Sequence, residues 1–310
     1  MGSQNQLSRY GAISKIIQDL APSAKVFLVG DTDDTTYGIQ NLASDFPVDN
    51  NGVVRVYSTI QAANNAASPN RGDVILVAPG YDYTLQRADS WNTAGVQIIG
   101  MGASYNKPLI RVADTGSTIE LSANGVKVEG LRFMADTSGI TRCIDMDTGF
   151  GGQEVKNCEF TFGETGDDFI TVIRCGAKRS IIENNRIEME NAAGHNYAIS
   201  LLGGDPDYTI IRNNFISGNF DVAVIGQDTS DTSDTNLIGI QVLNNTIINC
   251  DTASAQHIKF SAGYTIRGLV AGNRIASYDT STADTAQVTA GGARFIDNII
   301  RSDSTEKTTP

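Results

Sequence analysis

The chain has 310 residues with a formal net charge of −12, 40% of them hydrophobic and 19% charged. That balance excludes a disordered chain, and the negative charge argues against a grip on nucleic acid or on an acidic membrane surface. No apolar run approaches the roughly 18–20 residues of a transmembrane helix, and the N-terminus lacks the basic-then-apolar order of a signal peptide, so no membrane partner and no export by that route is expected.

Residues 6–21 set Leu7, Tyr10, Ile13, Ile16, Ile17 and Leu20 three or four apart, on one face of a helix that stops before Pro22. An amphipathic segment ahead of the main body caps a core or docks on another subunit, and the two uses are compatible. Residues 25–30 read as a strand, 31–36 as an acidic loop, 38–46 as a short helix ended by Pro47, and Asp49-Asn50-Asn51-Gly52 as a turn. After a strand at 53–57, Ser58 is expected to cap a helix over residues 60–67, and 74–78 is a buried strand closed by Pro79-Gly80.

From there the chain becomes periodic. Ile182-Glu183-Asn184-Asn185-Arg186-Ile187 returns as Ile211-Arg212-Asn213-Asn214-Phe215-Ile216 and as Val242-Leu243-Asn244-Asn245-Thr246-Ile247. Val270-Ala271-Gly272-Asn273-Arg274-Ile275 and Phe295-Ile296-Asp297-Asn298-Ile299-Ile300 complete the series. Asn185, Asn214, Asn245, Asn273 and Asn298 follow one another at steps of 29, 31, 28 and 25 residues, the range of one solenoid coil. Upstream the column passes through Cys158, Leu131 and Met101, for about eight coils.

Asparagine tolerates the left-handed backbone of a sharp bend, and its amide both donates and accepts, so the repeated residue is expected to make the bend and to form a ladder along the axis. Each coil adds a second apolar strand, at 144–146, 170–173, 199–202, 222–225, 258–260 and 287–289. Cys143, Cys158, Cys175 and Cys250 have neither CxxC nor Cys/His spacing and read as free thiols, with no metal site.

Ser58-Thr59-Ile60-Gln61-Ala62-Ala63, followed by Gly72-Asp73-Val74-Ile75-Leu76-Val77-Ala78-Pro79-Gly80-Tyr81, resembles the opening of β-helices in the pectin-lyase-like superfamily. With the repeat, the resemblance implies an all-β, single-stranded, right-handed parallel β-helix of about eight coils with an N-terminal α/β capping region. Residues 1–72 are the capping and docking region, 73–302 the β-helix and 303–310 a polar tail.

Many members of that superfamily cleave polysaccharides, which for hydrolysis requires two carboxylates across the scissile bond. Gly166-Asp167-Asp168 resembles the paired aspartates of polygalacturonases, and His195 follows one coil later, so Asp167, Asp168 and His195 are the catalytic candidates if the chain is an enzyme. The family's Asn-Thr-Asp and Gly-His-Gly elements are replaced by Met146-Asp147-Thr148 and Gly194-His195-Asn196, which points away from catalysis. Asp145 and Asp147 alternate with apolar residues and are expected to form an outward acidic patch near Arg142 and Arg174. His195 and His257 are two coils apart, too far for a catalytic pair. No nucleotide-binding, nucleophile-elbow or zincin motif is present, so no cofactor is expected. Tyrosines such as Tyr105 and Tyr208 are scattered.

Lys25-Val26-Phe27-Leu28-Val29-Gly30-Asp31, Asp45-Phe46-Pro47 and the stretch from Gly52 to Ala63 resemble β-helix proteins that accompany the major capsid protein of tailed bacteriophages. The resemblance covers residues 25–85 well and the rest at the level of fold. It implies a non-enzymatic virion protein made in the host cytoplasm, decorating the capsid exterior as a homotrimer, with the major capsid protein as partner. Leu7, Tyr10, Ile13, Ile17 and Phe27 are then the contact candidates. The alternative is a tail adhesin or depolymerase with host-surface glycans as partner.

Overall fold

The computed structural model describes residues 24–30, 55–190, 194–202, 206–228, 236–250, 256–260, 265–277, 288–289, 292–302 and 305–308. The expected helices at 6–21 and 38–46 lie outside them, and with the first go Leu7, Tyr10, Ile13 and Ile17.

The chain winds as a right-handed parallel β-helix of about eight turns. Its described strands form three sheets, of eleven, ten and eight strands. One coil shows the plan. Ile181–Glu183 lies on the first face, Arg186–Glu188 on the second and His195–Leu202 on the third, before Ile210–Arg212 returns beneath Ile181–Glu183. The sequence reading had two strands per coil; the bend after Glu183 separates two short strands on different faces.

Registry stacks like on like. Val128, Val155, Ile182, Ile211, Val242 and Val270 form one inward column on the first face. Ile187, Ile216, Ile247, Ile275 and Ile300 form another on the second. These residues are at most 4% exposed, and full burial of such a side chain contributes about 1.5–3 kcal/mol. β-branched residues suit such columns because their stiff side chains pack well on a pleated surface.

The asparagine column divides its two jobs between neighbours. The left-handed residue is the one before the repeated asparagine, namely Asn184, Asn213, Asn244, Gly272 and Asp297, with φ from 52° to 66°. The repeated asparagine itself is buried and bonds along the axis. Asn185 donates from its backbone N and from Nδ2 to Asn214 Oδ1, both at 3.0 Å, and from Nδ2 to Val155 O at 2.9 Å. Asn214 repeats this toward Asn245 Oδ1 and Ile182 O, and Asn245 toward Asn273 Oδ1 and Ile211 O. Asn273 bonds Asn298 Oδ1 and Val242 O in the same way. A bend that would bury unpaired backbone groups is thereby satisfied coil after coil.

At the N-terminal end the helix Ile60–Ala66 covers the first coil, with Ile60 and Ala63 in the core beside Trp91. Its cap is Thr59, one residue later than the sequence suggests, whose hydroxyl accepts from Ala62 N at 3.1 Å. Val26–Val29 pairs in register with Val74–Val77 and, on its other edge, with Val56–Tyr57. The first sheet therefore runs unbroken across residue 72. Asp73 ties this end together, its carboxylate accepting from Lys25 N, Ser68 N and the Arg71 guanidinium at 2.7, 2.8 and 2.6 Å.

At the other end Thr305–Thr308, expected as part of a polar tail, turns back antiparallel on Ile299–Ser302. Such a return covers the edge of the last rung of its sheet. Cys143, Cys158 and Cys175 are buried free thiols, and Cys250 is half-buried. Burial pushes Cys158 up to about 12 and Cys175 up to about 11.

Candidate functional site

The polygalacturonase-like residues are brought near one another and then used by the backbone. Asp167 accepts from Glu164 N at 2.9 Å and Asp168 accepts from Gly139 N, so both carboxylates close turns at the edge of the third face. His195 is 0% exposed. Its ring nitrogens face Phe169 O at 3.0 Å and Glu190 O at 3.3 Å, and its ring leans on Phe220. A buried imidazole held between two carbonyls has no free nitrogen to offer a substrate. His257 is equally buried, with Nε2 2.9 Å from Ala276 O.

The expected acidic patch is an ion-pair cluster. Asp145 is 4% exposed and lies 2.7 Å from Arg142 Nη1 and 2.8 Å from Arg174 Nε. Among the described residues no group of three or more His, Cys, Asp or Glu side chains could hold a metal ion, and no helix is long and apolar enough to cross a membrane. Phe27, a contact candidate, is 2% exposed and packs inward against Tyr57, with ring centroids 5.9 Å apart. Alternation along its strand turns it into the core, where no partner reaches it.

A groove of about 490 Å³ opens instead on the second face. Its floor comes from the strands Arg132–Ala135, Glu159–Phe162 and Arg186–Glu188, stacked so that Arg132, Glu159 and Arg186 form one outward column. Its wall is the short turn Ser104–Asn106, which carries Tyr105 with 81% of its surface exposed. That turn leaves the coil through Gly102 at φ 127°, where an added Cβ would lie 2.4 Å from Asn106 O, so the position requires glycine.

Charges in the groove are mostly matched. Lys107 Nζ lies 2.8 Å from Glu159 Oε1, and Arg186 meets both oxygens of Glu188 at 2.6 Å while its guanidinium lies 5.0 Å from the Phe215 ring centre. The arrangement offers hydroxyl acceptors, guanidinium donors and one aromatic ring open to solvent, a set suited to binding a polar, ring-shaped ligand.

Sequence reasoning named Tyr105 as one of several scattered tyrosines and passed over Arg132, Glu159, Arg186 and Glu188. A signal existed: the first three directly follow Leu131, Cys158 and Asn185, so aligning the coils on the bend puts their charges in one outward column.

No protein-family model and no curated protein sequence matches the chain. Among solved structures, the tailspike protein of E. coli bacteriophage HK620 in complex with a pentasaccharide matches at 12% identity and a TM-score of 0.46, over 92% of this chain and 64% of that one. A double mutant of that tailspike with a pentasaccharide matches at 13% identity and 0.38, and a variant of it with a hexasaccharide at 12% and 0.41, with the same coverage. The chain thus spans 64% of the length of the structures it matches, and at these scores nothing about a site transfers from them.

Proposed function

We propose that this chain is a non-enzymatic, glycan-binding β-helix of a bacteriophage virion, an adhesin of the tail that holds host-surface saccharide in the groove on its second face. The observation that carries the reading is Tyr105, 81% exposed above an outward column of Arg132, Glu159 and Arg186. Such a ring offers a stacking face for a sugar, and the fixed charges beside it offer partners for the sugar's hydroxyls. The virion setting is supported by the resemblance of residues 25–85 to β-helix proteins that accompany the phage major capsid protein, a resemblance that by itself favours the capsid over the tail.

Binding without cleavage is supported by the duties of the candidate catalytic groups. Asp167 and Asp168 hold backbone N–H groups and His195 is enclosed. In the groove, Glu159 and Glu188 are each held by a cation. Decoration of the capsid is the competing reading. Of its contact candidates, the described one, Phe27, faces the core.

The test is retention of the full chain on immobilised polysaccharides from bacterial surfaces. Retention that Tyr105→Ala abolishes at an unchanged melting temperature, without new reducing ends or unsaturated sugars, is the expected result. Retention on none of them, or the chain mapped onto the head shell in virions by electron microscopy, overturns the proposal.

A further inference from the structure

One cation in the groove is left over. Lys107 is engaged with Glu159 and with Asn157 O at 3.1 Å, and Arg186 with Glu188 and the Phe215 ring. Arg132 stands between them, its neighbours in register being Leu109 on one side and Glu159 on the other. It makes no ion pair among the described residues, and its Nε is buried with no hydrogen-bond partner. A buried donor left without a bond costs about 1–3 kcal/mol, and native structures carry few such groups. Glu188 holds Arg186 on both oxygens and Glu159 holds Lys107 on Oε1, and neither carboxylate lies within ion-pair distance of Arg132.

The residue as a whole is partly exposed and lines the groove, so an acceptor for the outer N–H groups of its guanidinium can come from outside the chain. A planar guanidinium with unused donors is best met by a carboxylate or phosphate oxygen. A nucleic acid is a poor source of that anion, because it would approach a chain of net charge −12. A single anionic group on an otherwise neutral sugar fits better, since the rest of the groove supplies the Tyr105 ring, the Thr161 hydroxyl and the two glutamates for hydroxyl groups.

We infer that the groove selects an anionic saccharide, with the carboxylate of a uronic acid or the oxygen of a sugar phosphate seated on the Arg132 guanidinium. This deepens the saccharide reading and rests on it. Carboxylate and phosphate share the recognising chemistry, and the experiment separates them.

Oligosaccharides from bacterial surfaces are arrayed in three forms: native, carboxyl-reduced to the primary alcohol, and stripped of phosphate with hydrofluoric acid. The full chain and its Arg132→Gln variant are applied to all three. The expected result is that every retained native spot carries uronate or phosphate. Removing the responsible anion lowers affinity about tenfold to a hundredfold, the value of one charge-assisted bond. Loss on carboxyl reduction identifies a uronate and loss on hydrofluoric acid identifies a phosphate. Arg132→Gln lowers affinity by the same factor on native spots and leaves the stripped spots unchanged. If the variant melts early, the two chemical treatments with the unaltered chain still decide the matter. Retention on neutral spots, insensitive to both treatments, overturns the anion and leaves the saccharide reading standing. Retention on no spot overturns both.

Discussion

The coils from Asn185 onward and the coils before it make the same bend by different means. Downstream, each bend is closed by a buried asparagine whose amide bonds its neighbour and a carbonyl of the coil before. Upstream, the same positions hold Leu131 and Cys158, both fully buried, and the inward residues beside them, Phe133 and Phe160, stack with ring centres 5.1 Å apart. The downstream bends are held by directional bonds and the upstream bends by packed apolar volume. The groove lies across the upstream bends and ends where the ladder begins, at Arg186 and Glu188. Regularity therefore marks scaffold, and the departure from it coincides with the groove proposed to hold saccharide.

The largest expected effect breaks the ladder in its middle. Asn214→Leu removes the acceptor for Asn185 N and the donor for Ile182 O, both at 3.0 Å and both buried. Two unpaired backbone groups at about 1–3 kcal/mol each predict a loss of about 3 kcal/mol or more. It would appear as a lower denaturant midpoint, with any saccharide binding upstream unchanged at temperatures where the variant is folded. An unchanged midpoint would show that the bends are held by packing alone, as upstream, and the contrast would disappear.

A smaller effect is expected at the N-terminal end, where neither device operates and one carboxylate joins three segments. Asp73→Ala strips the partner from Lys25 N, Ser68 N and Arg71, and about 2–3 kcal/mol is expected, less than for a dry buried pair because Arg71 can turn to water. Burial alone would raise the Asp73 pKa, but bonds from Arg71, Ser68 N and Lys25 N outweigh it and hold the carboxyl below its ordinary value. Its folded pKa is thus below the unfolded one, so its contribution is complete above roughly pH 4–5 and declines as pH falls toward the folded value. Melting curves of wild type and variant should therefore converge in acid. A gap that stays constant down to acid unfolding would mean that Asp73 acts through packing and not through its charge.

Much of this contrast is legible in the amino-acid sequence. The five asparagines at near-constant spacing fixed the coil length, and apolar flanks such as Ile182 and Ile187 showed what points inward. The assignment of the left-handed backbone to the repeated asparagine itself was one residue late, because Asn184-Asn185 and Asn213-Asn214 offer two equivalent residues and sequence does not say which turns and which bonds. Gly272-Asn273 and Asp297-Asn298 held the answer, since the variable member is the turning one. The groove was harder to see. Three charged residues separated by a coil length each are an unremarkable scatter along the chain, and they become a column when parallel registry stacks the coils. Asp167, Asp168 and His195 show the converse: motif spacing records residue types, whereas the structure adds that all three side chains are engaged with backbone groups.

The smallest expected effect extends the ladder by one rung into the upstream region. Asn157, before Cys158, already has φ 53°, so the bend there has the backbone of the ladder bends. Cys158 N donates to Asn185 Oδ1 at 3.0 Å, so the coil is already in register as a donor to the next rung. The thiol makes a poor copy of an amide, standing 3.9 Å from Val128 O, the carbonyl that an Nδ2 would reach by analogy with Asn185 and Val155 O. The Leu131 N–H points at its sulfur, where an Oδ1 would accept a stronger bond. Cys158→Asn is therefore expected to be tolerated at a fully buried site and to raise stability by about 0.5–1.5 kcal/mol, the net value of a typical internal hydrogen bond. Calorimetry or a denaturant midpoint would show it. A loss of more than about 2 kcal/mol, the signature of a buried amide left unpaired, would mean that the upstream bends are shaped for apolar side chains and that the two halves of the solenoid differ in backbone as well as in side chain.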